Sequence, residues 1–135
     1  MVDRTKRLEA AGLIEKFAAR EVTNFEFEDR FPRSADPALH AVHTVMWSAY
    51  SDIREHRLDG THALKQEARD VFERCALFLR TDTEYTGIRS FVTFAAPFKR
   101  IWSRILGRND PVMSASWPFD TAEELERAQK GDGRF

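Results

Sequence analysis

Hydrophobic residues recur at intervals of three and four positions through two central stretches of the chain, a spacing that is typical of helices. One stretch follows Asp36-Pro37, where Asp caps a helix and Pro suits its first turn. Its apolar stripe consists of Leu39, Val42, Val45, Met46, Ala49 and Ile53. The other follows the capping residue Thr61, and its stripe consists of Leu64, Ala68, Val71, Phe72, Cys75 and Leu79. These patterns predict helices over 36–58 and 61–80.

A very short turn at Asp59-Gly60 separates the two predicted helices. Helices joined so closely pack antiparallel, so the sequence predicts a helical hairpin whose apolar stripes face each other. Cys75 lies within the second stripe, which predicts a buried structural thiol, because reactive thiolates occupy polar, electropositive sites. We therefore expect the hairpin to be the centre of the core.

A further helix is predicted at the beginning of the chain, over residues 3–20. Its apolar positions are Ala10, Leu13, Ile14, Phe17 and Ala18. The charged positions outside this stripe are Lys6, Arg7, Glu9, Glu15 and Lys16. This separation is typical of an amphipathic helix on the surface of a bundle.

Two independent signals predict the start of the next helix at Thr23. Thr23 and Glu26 have the spacing of a capping box. Val22 and Phe27 occupy the two positions of a hydrophobic staple. The alternating Phe residues of this stretch also suit a short strand, but the agreement of both start signals favours a helix that ends before Pro32.

The last third of the chain is less regular. Residues 88–96 suit either a helix or a strand, because their Phe spacing is helical while many of them are β-branched or aromatic. The apolar spacing of residues 97–107 predicts a helix. A last short helix is expected from Asp120 or Thr121, with a tail that frays from about residue 131.

The composition is typical of a globular protein and indicates the cellular compartment in which we expect it. The 135 residues are 42% hydrophobic and 32% charged, an ordinary balance for a folded chain. The one Cys excludes an intrachain disulfide and suits a reducing compartment. No apolar run approaches the roughly 18 residues of a membrane span. We therefore expect an all-α, compact single-domain bundle of about five helices over 1–135, located in the cytoplasm.

Charge is distributed unevenly along the chain, although the formal net charge is only −1. Residues 87–109 contain no acid and five bases: Arg89, Lys99, Arg100, Arg104 and Arg108. Arg100, Arg104 and Arg108 share one face of the helix predicted over 97–107, and Trp102 lies on its apolar side. A solvated face of a core helix is the plainest interpretation. A docking surface for an acidic protein partner is the functional one.

Two other kinds of partner are less favoured by this basic stretch. Four or five phosphate contacts would give only weak, salt-sensitive binding to nucleic acid. A basic amphipathic helix with a Trp also suits a membrane surface, but a domain this small needs those apolar residues for its core. If the stretch docks a protein, the nearby Trp117 and Phe119 are expected to extend its binding surface.

Histidines offer an alternative site. His40 and His43 stand three positions apart on the helix predicted over 36–58, and Asp36 lies one turn before them. These groups could be part of the ligand set of a small helical-bundle metalloprotein. Such bundles normally add ligands from a facing helix, whereas helix 61–80 offers only acids at outward positions. We therefore predict that His40 and His43 hold no metal and that the protein has no cofactor.

The loop after the second hairpin helix brings together Asp82, Glu84 and Tyr85. Loops on rigid scaffolds often carry function, but Thr and Asp also end helices, and a Tyr in such a place packs back on the core. The chain has no P-loop, Rossmann glycine pattern, nucleophile elbow or zincin motif. The sequence therefore favours a small non-enzymatic protein-binding domain of the adaptor, inhibitor or immunity-like kind.

Overall fold

A computed structural model of the protein describes residues 1–47, 49, 54–85 and 116–131. Within these ranges the regular elements are five α-helices and one short 3-10 turn, with no β-strand. The helices are α1 (Arg4–Ala18), α2 (Asn24–Arg30), α3 (Pro37–Trp47), α4 (Gln66–Leu79) and α5 (Ala122–Gln129), and the 3-10 turn is Gly60–His62. The predicted all-α class and helical bundle are confirmed. None of the described helices is both long enough and apolar enough to cross a membrane.

Capping side chains begin four of the five helices, at positions that the sequence makes recognisable. The capping residues are Asp3 for α1, Thr23 for α2, Asp36 for α3 and Thr121 for α5. At α2 both halves of the predicted capping box form. The Glu26 N–H donates to Thr23 Oγ1 at 3.2 Å, and Glu26 Oε1 accepts from the Thr23 N–H at 3.0 Å. The helix then ends at Arg30, before Pro32 as predicted.

The two helices predicted for the hairpin are shorter than expected. α3 ends at Trp47 and not at residue 58, and residues 54–59 are not helical. α4 begins at Gln66 and not at Thr61. The predicted boundaries 36–58 and 61–80 and the very short turn between them are therefore wrong.

Asn24 accounts for the non-helical course of residues 54–57. Its Oδ1 accepts from the His56 N–H at 2.7 Å, and its Nδ2 donates to the Arg54 carbonyl at 3.0 Å. Its backbone N–H donates to the His56 carbonyl at 2.9 Å. In a helix these backbone groups would pair with residues four positions away. Because the first residue of α2 pairs with them instead, the segment lies against α2.

The core is centred on α1 and α4, which contact each other more extensively than any other pair of described helices. Phe17 of α1 stacks on Phe27 of α2 at a ring-centroid distance of 4.6 Å and lies 6.2 Å from Phe72 of α4. α3 contacts both α1 and α4, and α5 packs on α4. The predicted stripe is buried from Ala68 to Leu79, whereas Leu64 precedes α4 and is only partly buried. The main partner of α4 among the described helices is α1 and not α3.

Candidate functional site

The six residues predicted to form a protein-binding surface fall into two groups. Arg100, Arg104, Arg108 and Trp102 lie outside the described residues, so their role stays a prediction. Trp117 and Phe119 are buried, with exposures of 0% and 1%. They therefore cannot extend an exposed surface in the way that the sequence suggested.

Trp117 holds the turn before α5 against α4. Its indole N–H donates to the Tyr85 hydroxyl at 3.1 Å, and its carbonyl accepts from Nε of Arg74 at 2.9 Å. Phe119 meets the ring of Phe78 edge-on, with 5.1 Å between ring centroids. A buried Trp normally finds a partner for its N–H. These contacts assign both aromatic residues to the core.

The loop after α4 separates the three residues that the sequence grouped there. Tyr85 is half-buried, and burial raises the pKa of its hydroxyl group above the ordinary value. Asp82 and Glu84 are exposed, and the Glu84 carboxylate lies 3.5 Å from the amino group of Met1. Tyr85 thus packs back on the core, as the helix-ending interpretation of this loop predicts, while the two acids lie on the surface.

A buried ion pair joins the first turn of α1 to the beginning of α3. Arg7 Nε donates to Asp36 Oδ2 at 2.6 Å, and Arg7 Nη2 donates to Asp36 Oδ1 at 3.1 Å. Both side chains are fully buried. The apolar spacing of α1 had placed Arg7 on the solvent side, and this prediction is wrong. The pairing with Asp36 is what allows the guanidinium to be buried.

The same ion pair also holds the loop after α4 and the N-terminal residues. Arg7 Nη1 donates to the carbonyls of Thr81 at 2.9 Å and Thr83 at 2.8 Å. Asp36 also accepts from the N–H groups of Asp3 at 2.9 Å and Ala38 at 3.0 Å. Among the described buried side chains, no polar atom is left without a hydrogen bond. The buried polar atoms around Arg7 and Asp36 therefore all have hydrogen-bond partners, as a structural network requires.

The alternative metal site does not assemble around Asp36, because the carboxylate is already engaged by Arg7 and two backbone N–H groups. His40 is exposed. His43 Nε2 lies 3.1 Å from a carboxylate oxygen of Glu28, and its ring lies 4.8 Å from that of Phe31. Within the described ranges, no three His, Cys, Asp or Glu side chains are placed to hold a metal ion together.

Cys75 is fully buried in α4, which confirms the predicted burial of this thiol. Burial raises the pKa of this thiol far above its ordinary value. Since the thiolate is the nucleophilic form, this direction of the pKa shift does not favour a nucleophilic role for Cys75.

A groove that the sequence analysis did not identify runs over α4, between α1 and α5. α1 and α5 each pack on α4 but, as far as the described residues show, not on each other. The space between them has a volume of about 540 Å³. Its apolar lining is Ile14, Ala18, Phe72, Ala76, Leu77 and Leu125. Its polar lining is Glu15, Asp70, Glu73, Arg74, Arg80 and Gln129.

The sequence signal for this groove was present but weak. Asp70, Glu73, Leu77 and Arg80 follow one another at three- and four-residue spacing, which places them along one stripe of α4. A single Leu within a charged stripe is common on protein surfaces and needs no explanation by itself. Only the positions of α1 and α5 turn this stripe into the floor of a groove.

Comparisons of the chain with protein-family models, with curated proteins and with solved structures found no match. Function is therefore inferred from the residues of this chain alone. Two features are candidates for contact with another molecule, namely the basic stretch 87–109 and the groove over α4.

Proposed function

We propose that the protein is a small non-enzymatic protein-binding domain of the adaptor, inhibitor or immunity-like kind, located in the cytoplasm. Its partner is another protein that is acidic at the contact. The supporting observation is the stretch 87–109, which has five basic and no acidic residues in a chain of net charge −1. Arg100, Arg104 and Arg108 are the proposed contact residues, because their spacing puts them on one face of the helix that the sequence predicts over 97–107.

Charge segregated in this way acts mainly on the encounter of two proteins. A cluster of bases attracts an acidic partner and sets its orientation, and it adds less to raw affinity. Salt reduces the effect, since the screening length is about 8 Å at physiological ionic strength. Exposed charges contribute little to folding stability, so we expect variants at these positions to separate binding from folding.

Reversal of two arginine charges tests the proposal. The variant is Arg100→Glu/Arg104→Glu. The matched control is Arg33→Glu/Arg69→Glu, which makes the same change in net charge at two exposed positions outside the basic stretch. Partners are captured on the wild-type chain by crosslinking in a lysate of the source cell. Association rates of the purified partner with all three proteins are then measured at low and high salt.

We expect the reversal to slow association by about tenfold or more at low salt, because electrostatic steering raises on-rates by roughly 10- to 1,000-fold. The control should associate at nearly the wild-type rate, and all three proteins should have similar melting temperatures. The proposed arginine surface would be rejected if the reversal variant, the control and the wild type associate at equal rates at both salt concentrations.

A further inference from the structure

We propose that the groove over α4 binds an amphipathic helix of a partner protein, and that this helix carries basic residues at one end. The proposal goes beyond the function above, because the groove is a second contact surface made of other residues and suited to the opposite charge. It rests on the shape of the groove, on its apolar floor and on which of its charged groups already have partners.

The shape of the groove fits one helix. α4 forms the floor, and α1 and α5 form the two walls. The lining residues on α4 and its C-cap extend from Asp70 to Arg80. At about 1.5 Å per residue this span is about 15 Å, or about three helical turns. A helix lying over a second helix and between two others is the ordinary arrangement of a bundle.

The floor and walls of the groove supply apolar contacts for a bound helix. Leu77 of α4 and Leu125 of α5 are only partly buried, and they lie beside the buried Ile14 and Phe72. Ala18 is exposed at the end of α1, although the sequence placed it on the buried face. A helix that binds in such a groove inserts apolar anchors at positions i, i+3 or i+4, and i+7.

The charges around the groove favour a basic occupant. Its two bases already have partners in the protein, since Arg80 pairs with Glu15 and Arg74 donates to the Trp117 carbonyl. Asp70 accepts from the Gln66 side chain at 2.8 Å and interacts electrostatically with Arg74, so Glu73 is the acid of the groove that is left for a partner. The side chain of Glu73 is exposed and forms no ion pair or hydrogen bond with another described residue. Asp70 and Glu73 lie at the N-terminal end of the residues of α4 that line the groove, so the matching bases belong at one end of the bound helix.

Peptide selection on the intact chain tests this proposal without a known partner. The probe is a phage-displayed library of randomised 14-residue peptides on a helix-forming background. Selected peptides are synthesised with a fluorophore, and their dissociation constants are measured by anisotropy. Two variants change the groove: Asp70→Lys/Glu73→Lys reverses its acids, and Ala18→Trp fills its wall at an exposed position. The matched control Glu21→Lys/Asp29→Lys makes the same charge change at exposed sites outside the groove.

We expect enriched peptides to be amphipathic, with Lys or Arg near one end. Both groove variants should weaken their binding by about tenfold or more, because like charges or a filled wall then oppose the peptide. The control should stay within about twofold. Thermal unfolding of each variant confirms that it is folded.

Three results would contradict the proposal that the groove binds a basic helix. Either no peptide is enriched, or the enriched peptides are acidic, or neither groove variant weakens peptide binding. The variant Arg100→Glu/Arg104→Glu should bind the selected peptides like the wild type. A result against the groove proposal can therefore be distinguished from a result against the proposed arginine surface.

Discussion

Arg7 connects α1 with the cap of α3 and with the loop after α4, through hydrogen bonds to Asp36, Thr81 and Thr83. Removal of a guanidinium and a carboxylate from water costs several kcal/mol for each ion, and close pairing offsets this cost. Loss of one partner leaves the other buried and unpaired. Single substitutions at this pair are therefore far more damaging than its small net contribution would suggest.

The protonation of Asp36 links this ion pair to pH. Desolvation on burial raises the pKa of Asp36, but the hydrogen bonds from Arg7, Asp3 and Ala38 outweigh it and hold that pKa below its ordinary value of 3.8. A carboxyl group whose pKa is depressed by folding adds stability above its unfolded pKa of about 3.9. This contribution is lost as the pH falls through the lower pKa of the folded state.

The substitution Asp36→Asn should lower the free energy of unfolding by about 3–5 kcal/mol at pH 7, because it leaves the Arg7 charge buried without its partner. The difference from the wild type should begin to shrink as the pH falls below about 4, where the unfolded state takes up a proton, and should disappear below the lower pKa of the folded state. Urea unfolding at several pH values measures both effects. The control Asp29→Asn, at an exposed position of α2, should change stability by less than about 0.5 kcal/mol. Equal stability of Asp36→Asn and wild type at pH 7 would contradict the account.

At the scale of elements, α2 shows how a seven-residue helix is held in place. Isolated helices of this length are not stable in water, so α2 depends on its cap and its tertiary contacts. Thr23 serves both, because its hydroxyl group accepts from the Glu26 N–H and donates to a carboxylate oxygen of Glu55 at 2.6 Å. One residue thus begins the helix and fixes the segment that follows α3.

Thr23→Ala should destabilise the protein by about 0.5–2 kcal/mol, the usual cost of losing an N-cap side chain. The expected value lies in the upper part of this range, because the bond to Glu55 is lost as well. Chemical denaturation measures the change. Thr5→Ala is the control, since Thr5 is exposed within α1 and Ala suits a helix. If the two variants are equally stable, the capping box contributes nothing to the fold.

At the scale of the whole molecule, the aromatic side chains between α1, α2 and α4 hold the bundle together. Phe17 contacts Phe27 on one side and Phe72 on the other. All three are buried, with exposures between 0% and 1%. Since α1 and α4 form the most extensive helix contact, loss of a ring from this cluster affects the unfolding of the entire chain.

Phe72→Ala should reduce the free energy of unfolding by about 3–5 kcal/mol, because it removes a buried ring and leaves a cavity. That is a large part of the stability of a typical domain, so the melting temperature should fall markedly. Phe25→Ala is the matched control, since Phe25 is 44% exposed on α2 and should cost little. A melting temperature that Phe72→Ala and Phe25→Ala lower equally would reject this packing.

Local signals in the sequence determined where most of the helices begin and which face of α4 is buried. A cap such as Thr23 with Glu26 involves residues only three positions apart, so its spacing can be recognised in the sequence alone. The apolar stripe of α4 can also be recognised in the sequence, because helical periodicity repeats with each turn. The all-α class of the described residues follows from these short-range patterns.

Tertiary structure alone decided that residues 54–57 are not helical, which charged side chain is buried and where a groove opens. Asn24 takes up the backbone groups of residues 54 and 56, and Arg7 reaches carbonyls as far as 76 positions along the chain. Trp117 is buried by partners that the sequence places 32 and 43 positions away. The groove exists because α1 and α5 both pack on α4 without meeting each other among the described residues. Contacts at such separations leave no periodic trace in a sequence, since packing selects them only after the helices have formed.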